Sequence, residues 1–206
     1  MWAQNYLGDV FLGLGNLEEA NRAYTKAHEL AEALAARDPA NTEWQRDLSV
    51  SHDRIGNVLV AQGDGPGALA TYRKGFIIGE ALAARDPANT QWQSDLSVSH
   101  DRIGDVLVAQ GDGSGALATF HKGLVIGEAL AARDPANTQW QTVVAVSCAR
   151  LGLLQHGQSM EVRHGHLRRG RDILQRLKSA RRSTSKHEAL VEWFDQQLAE
   201  LAGHHS

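Results

Sequence analysis

Residues 37–84 and 85–132 are one 48-residue phrase written twice. The two agree at 40 of 48 positions, and the differences are mild, such as Tyr72 against Phe120 and Ile77 against Val125. Trp44, Trp92 and Trp140 mark the period, and Arg-Asp-Pro-Ala-Asn-Thr begins at Arg37, Arg85 and Arg133. Weaker copies lie on either side. Upstream, Leu7-Gly8-Asp9-Val10 matches Ile55-Gly56-Asn57-Val58, and residues 32–36 are identical to residues 80–84. Downstream, Leu151-Gly152 matches Ile103-Gly104, after which the copy drifts out of register. A chain that repeats in this way stacks copies of one small unit and does not close into a single globule. The units fall at about 1–36, 37–84, 85–132 and 133–182, followed by a linker and a terminal helix in 183–206.

Each unit reads as two helices. Thr42, Thr90 and Thr138 are candidate N-caps, and Gln45, Gln93 and Gln141 three residues on complete a capping box. The first helix carries Trp44, Leu48, His52, Ile55 and Leu59 at spacings of three and four, one stripe of a helix. Gly63-Asp64-Gly65 ends it with a left-handed turn, and Pro66 suits the next first turn. The second helix carries Ala68, Tyr72, Phe76 and Ala83 on one line and Leu69, Ile78 and Leu82 on another. Asp86-Pro87 stops it. A helix pair with two apolar sides must be covered by its neighbours, which is the logic of a solenoid. No alternating run bounded by turn residues suggests a strand, and the interrupting glycines exclude one long coiled coil.

Composition narrows the setting. Hydrophobic residues are 42% and charged residues 22%, as in a folded domain. The net charge of −3 demands neither nucleic acid nor a membrane surface. One cysteine excludes a disulfide framework. The opening residues lack the basic and apolar regions of a secretory signal, and no apolar run is long enough to span a bilayer. These features point to a reducing, cytoplasmic compartment.

The repeat resembles the tetratricopeptide repeat. That pattern couples a Leu-Gly pair to an aromatic residue, then Ala to a second aromatic, then Pro. Here Leu7-Gly8 with Phe11 precedes Ala20 and Tyr24. Ile55-Gly56 with Leu59 precedes Ala68 and Tyr72, and Ile103-Gly104 with Leu107 precedes Ala116 and Phe120. Three features depart from the pattern. The period is 48 against about 34, His52 and His100 replace the usual Trp, and Pro39, Pro87 and Pro135 fall late. The resemblance implies an all-α, right-handed α-α superhelix of about four antiparallel helix pairs with a C-terminal capping helix. It also implies a non-enzymatic protein-binding scaffold, as found in docking or sensor parts of larger bacterial systems.

In that family the first helix of each pair lines the concave surface. Carried over, the groove positions are Asn5, Asp9, Asp53, Asn57, Asp101 and Asp105, with Val60 and Val108 nearby. The Lys and Arg that some members use to grip a C-terminal carboxylate are missing, so a neutral or basic extended segment fits better. A solvated helix face is the competing reading of the same residues. Arg54, Arg102 and Arg150 recur in register, the first two beside aspartates, and read as an ion-pair ladder along the stack.

Other motifs carry less chemistry. Ser51-His52-Asp53 is not a triad, because successive helical side chains point about 100° apart. His52 reads as a packed histidine, and Cys148, among Val143, Val144, Ala145 and Val146, as a buried inert thiol. His164-x-His166 and His204-His205 match no ligand spacing, so neither metal nor cofactor is expected. Gly63–Gly67 lacks the Lys-Ser/Thr of a phosphate loop.

Charge is uneven: residues 1–140 hold 11 basic and 18 acidic residues, and 141–206 hold 10 and 6. Arg163, Arg168, Arg169, Arg171, Arg176, Arg181 and Arg182 form an alternative surface for nucleic acid or an acidic partner. No aromatic residue is interleaved there for base stacking, which speaks against nucleic acid. Residues 188–201 form an amphipathic helix suited to capping the array. The first helix has no capping segment before it, so either the chain is a fragment of a longer array or that end is a candidate homo-oligomer interface.

Overall fold

The computed structural model describes residues 2–203, and the His204-His205 pair lies outside them. Nine helices follow one another among the described residues: α1 (Trp2–Gly13), α2 (Leu17–Arg37), α3 (Thr42–Ala61), α4 (Gly65–Arg85), α5 (Thr90–Ala109), α6 (Gly113–Arg133), α7 (Thr138–Leu153), α8 (Met160–Ser179) and α9 (Ser185–Gly203). No strand occurs among the described residues. The chain divides into two compact units, Met1–Gln110 and Gly111–Ser206. In the first, each of α1 to α4 packs on the next, and in the second each of α6 to α8 does so.

Within a pair, a missing Cβ lets the helices touch. A Cβ at Gly8 would overlap the ring of Tyr24, and one at Gly56 the ring of Tyr72. Ala20 and Ala68, four residues before those tyrosines, are fully buried. In the second unit the same device recurs with Gly152 under Leu167 and Gly170 under Phe194 of α9. Phe194 and Leu198 are the buried residues of α9, and Glu192, Asp195, Gln196 and Glu200 lie on its exposed side.

The turn after α3 is the expected left-handed one. Gly63 has φ +80°, its N–H donates to Val60 and the Asp64 N–H donates to Leu59, which is a Schellman motif. The Asp64 side chain then caps α4 by accepting from the Gly67 N–H at 2.9 Å. The same motif closes α8, with Arg181 at φ 55° where glycine stands elsewhere.

The N-caps lie one residue earlier than the threonines. Asn41, Asn89 and Asn137 hold these positions, and their side chains accept from Trp44, Trp92 and Trp140 N–H groups. The reason is the preceding turn. Asp38 Oδ1 accepts from the Ala40 N–H, and the Asn41 N–H donates to the Asp38 carbonyl. This presents Asn41, not Thr42, at the helix entrance. The glutamines close no capping box. Gln45 and Gln93 donate to Ala35 and Ala83 carbonyls of the preceding helix instead.

The buried face of α3 also differs from the apolar stripe. Trp44, Leu48, His52, Ile55 and Leu59 are only half-buried, whereas Ser49, Ser51, Asp53, Gly56 and Val58 are buried. Small serines permit a closer approach than leucines, and their hydroxyls are satisfied locally. Ser49 Oγ donates to the Gly75 carbonyl at 2.8 Å and Ser51 Oγ to that of Leu48 at 2.7 Å.

Two substitutions test this account. Gly56→Ala displaces the Tyr72 ring and lowers stability by about 1–3 kcal/mol, despite the better helix propensity of Ala. Arg181→Gly relieves the left-handed backbone and raises stability by about 1 kcal/mol. Thermal or denaturant midpoints of each unfolding transition read both.

Candidate functional site

The first unit carries two clefts on the α1, α3 and α5 side. One encloses about 320 Å³ and is lined by Asp9, Asp53 and Asp95, by Arg46, Arg54 and Arg102, and by Tyr24, Ser49 and Asn57 among others. The second, about 360 Å³, is lined by Asn57, Val60, Tyr72, Arg102, Asp105 and Val106 with small residues between them. Asn57 and Arg102 line both, so the two clefts adjoin there, and the second presents a mainly apolar surface.

The first cleft holds three carboxylates and three guanidiniums, and every one of the six has a partner. Arg54 pairs with Asp9, Arg102 with Asp53, and Arg46 Nε donates to Asp95 Oδ2 at 2.6 Å. Each pair joins helices of different copies. Although four of the six carried-over groove positions are aspartates, the cleft is charge-balanced here. The two pairs with partly exposed members, Arg54–Asp9 and Arg46–Asp95, contribute about 0–1 kcal/mol each.

Tyrosines enter the cleft from below. Tyr24 Oη donates to Asp9 Oδ1 at 2.7 Å, and Tyr72 Oη to Asn57 Oδ1 at 2.7 Å. Burial, with the bond to Asp9, pushes the Tyr24 phenol up to about 12, and burial pushes Tyr72 to about 12. Both therefore act as donors at neutral pH. The Arg54 guanidinium also lies over the Tyr24 ring, 5.5 Å from its centroid.

The six groove positions divide. Asp9 and Asp53 line the first cleft, Asn57 both, and Asp105 the second. Asp53 and Asp101 are buried, and Asp105 is exposed. Asn5 is half-buried on α1 and lines neither. Burial pushes the Asp53 carboxyl up to about 6 against the pull of Arg102, with nearby Asp95 adding to the rise. Its Oδ1 has no hydrogen-bond partner. The sequence reading missed Arg46, Asp95 and the two tyrosines. Arg46 carried a signal, since it is one of the eight positions where the copies differ.

His52 and Cys148 are packed groups. His52 sits 4.6 Å from the His28 ring, and burial, aided by His28 and Lys74, lowers its pKa to about 4. His28 Nδ1 lies 2.9 Å from Ser51 Oγ. Cys148 is fully buried, and burial pushes its thiol up to about 11. No cluster of three or more His, Cys, Asp or Glu suited to a metal occurs among the described residues. No helix among them is long and apolar enough to cross a membrane.

The basic segment is partly spent within the second unit. Arg163 Nε donates to the Gly152 carbonyl at 3.0 Å, Arg169 pairs with Glu128, and Arg171 with Asp172 and Asp195 at 3.2 Å. Arg182 donates to the Ala136 carbonyl at 3.4 Å. Arg168, Arg176 and Arg181 are exposed and make none of these bonds.

No protein-family model and no curated protein matches the sequence. Solved structures do. One is the crystal structure of BtubC (BKLC) from P. vanneervenii, with a TM-score of 0.63 over 97% of this chain and 80% of that one, at 14% identity. At that identity the likeness is one of fold, an all-helical repeat-like arrangement.

The buried histidine sets a pH response. The unfolded chain protonates His52 near 6.5, while the folded chain holds it neutral to about pH 4. Acid between these values therefore favours unfolding through this group. Asp53 opposes it, since the folded state takes up that proton near pH 6, above the ordinary carboxylate range. In His52→Phe the stability lost on going from pH 7 to pH 4.5 shrinks by on the order of 1 kcal/mol, allowing for the ring's partial exposure. Denaturant titrations of both proteins at the two pH values check the difference.

Proposed function

We propose that this protein is a non-enzymatic scaffold that binds an extended, largely uncharged polypeptide segment along the two clefts of its first unit. The observation that carries this reading is the pair of adjoining clefts that share Asn57 and Arg102, the first lined by charges already matched in pairs. A charged ligand would have to displace an internal pair, whereas a peptide backbone or a polar neutral side chain need not. Exposed Val60, beside Asp105, supplies apolar contact at one end. The buried Cys148 and the neutral His52 support binding over catalysis, because neither is poised as a nucleophile or a base near pH 7.

Nothing in the geometry favours the alternative basic surface over this one, since four of its seven arginines already bond within the second unit. The two readings separate by salt. Phosphate contacts give a steep loss of affinity with added salt, and a balanced groove gives a shallow one.

The test is selection of peptides from a displayed library by the full chain. Selected segments are expected to be poor in charge. Val60→Glu and Asn57→Ala each weaken their binding about tenfold or more, while Arg168→Glu with Arg176→Glu leaves it unchanged. If the cleft variants bind as tightly as the parent, the reading fails.

A further inference from the structure

The second cleft has a counterpart in the first copy, where the chain places larger side chains of its own. By the 48-residue register, Val60 corresponds to Leu12, Gly65 to Leu17, Tyr72 to Tyr24 and Val106 to Val58. Leu12 packs on the cluster that contains Tyr24 and Val58. Leu12 and Leu17 are both half-buried. In the second copy the residue at the Leu12 position is a valine, one methylene shorter, and the residue at the Leu17 position has no side chain at all. Tyr72 and Val106 stay buried, but Val60 is 48% exposed. The lost volume opens into the cleft of about 360 Å³, which Val60 and Gly65 both line.

Packing does not demand a glycine at this place. Gly65 is the first residue of α4, as Leu17 is of α2. A Cβ at Gly65 would meet only the Gln110 side chain, at an ordinary 3.5 Å. In the second unit the equivalent Gly113 is covered, because a Cβ there would overlap the His156 side chain. Of these three positions one carries a leucine, one has a neighbouring side chain over it, and Gly65 is left open. An open apolar recess gains from an apolar side chain that displaces its water. The edge of the recess is polar but balanced, since Arg102 and Asp105 bring opposite charges to it and Arg102 is already tied to Asp53. A neutral ligand group suits such an edge. Asn57 gives its Oδ1 to Tyr72, so what it offers a ligand is its amide NH2, a donor for a peptide carbonyl.

We propose that the second cleft is a specificity pocket for one leucine-sized aliphatic side chain of the bound segment, whose neighbouring main-chain carbonyl accepts from the Asn57 amide. The ligand then supplies the aliphatic group that Leu12 and Leu17 supply in the first copy. The proposal rests on the scaffold reading in taking the ligand to be a polypeptide. It adds a sequence requirement that the scaffold reading does not contain.

Two measurements on the full chain test it. In the first, N-acetyl-leucine methylamide is titrated while the methyl resonances of Val60 and Val106 are followed. Saturable shifts are expected, with a dissociation constant of roughly millimolar order. N-acetyl-alanine methylamide binds about tenfold or more weaker. The second measurement converts the recess to its filled counterpart. Val60→Leu with Gly65→Leu weakens the leucine probe about tenfold or more, and the melting temperature stays level or rises because the new carbons occupy open space. Gly65→Leu alone gives part of the same loss, so the test survives a double variant that does not fold. The proposal is overturned by a filled variant that binds the probe as tightly as the parent, by equal affinity for the alanine probe, or by the absence of saturable shifts at the two valines. Library selection separates it from the scaffold reading. Uncharged segments selected without any aliphatic residue overturn the pocket and leave the scaffold standing. A saturable leucine site in a chain that selects no segment does the reverse.

Discussion

The first unit depends on what Gly8 and Gly56 lack. With no Cβ at these positions the rings of Tyr24 and Tyr72 press against the facing helix, and α1 closes on α2 as α3 closes on α4. The fully buried alanines at 20 and 68 are part of the same approach. Its consequence reaches beyond packing. A ring held there ends with its hydroxyl in the cleft, beside the residue at position 9 or 57. A leucine would fill the core as well and deliver no donor. Burial keeps both phenols protonated, so each requires an acceptor opposite, and Asp9 and Asn57 meet that requirement in different ways.

That difference propagates into the electrostatics. In the first copy the amide is Asn5 and the acid is Asp9; in the second the acid is Asp53 and the amide is Asn57. Carboxylate and amide have exchanged places, and the arginine of the following copy tracks the acid. Arg54 finds Asp9, and Arg102 finds Asp53. One acid per copy meets one cation, which keeps the cleft neutral. The third copy has acids at both positions, Asp101 and Asp105, and Phe120 stands in its sequence where the first two copies have a tyrosine. The exchange also leaves a mark. Asp53 occupies the more buried of the two positions, so its carboxyl rises to about 6 and one oxygen goes without a partner.

Much of this was legible in the sequence. A 48-residue period, glycine-terminated helices and an Ala-to-aromatic spacing fix helix pairs because they reflect local backbone requirements. Arg54 and Arg102 in register gave away the ion-pair ladder. Other features resisted because apolar periodicity measures side-chain size, whereas helix contact here depends on smallness. Ser49, Ser51 and Asp53 are buried, and a search for leucine stripes passes over them. The caps were misplaced by one residue because Asp38 organises the turn through bonds to Ala40 and Asn41, a three-residue cooperation that the residue type of Thr42 does not reveal. The basic segment looked like a surface in a residue count. In space, Arg163 and Arg182 serve backbone carbonyls and Arg169 and Arg171 serve acids.

A groove whose charges are satisfied in advance recognises partners differently from one lined by a single sign of charge. It offers little long-range attraction, so it gains no steered association and little sensitivity to salt. What it offers is rigidity. Six ionic side chains tied in pairs lose little further freedom when a ligand arrives, and the two tyrosine hydroxyls are already oriented by their acceptors. Ordering such side chains otherwise costs about 0.5–1.5 kcal/mol each on binding. Whatever each pair contributes to stability, together they fix the shape of the cleft before anything enters it. Selectivity in such a site comes from fit and from the cost of leaving a matched charge unmatched, and both disfavour strongly charged segments.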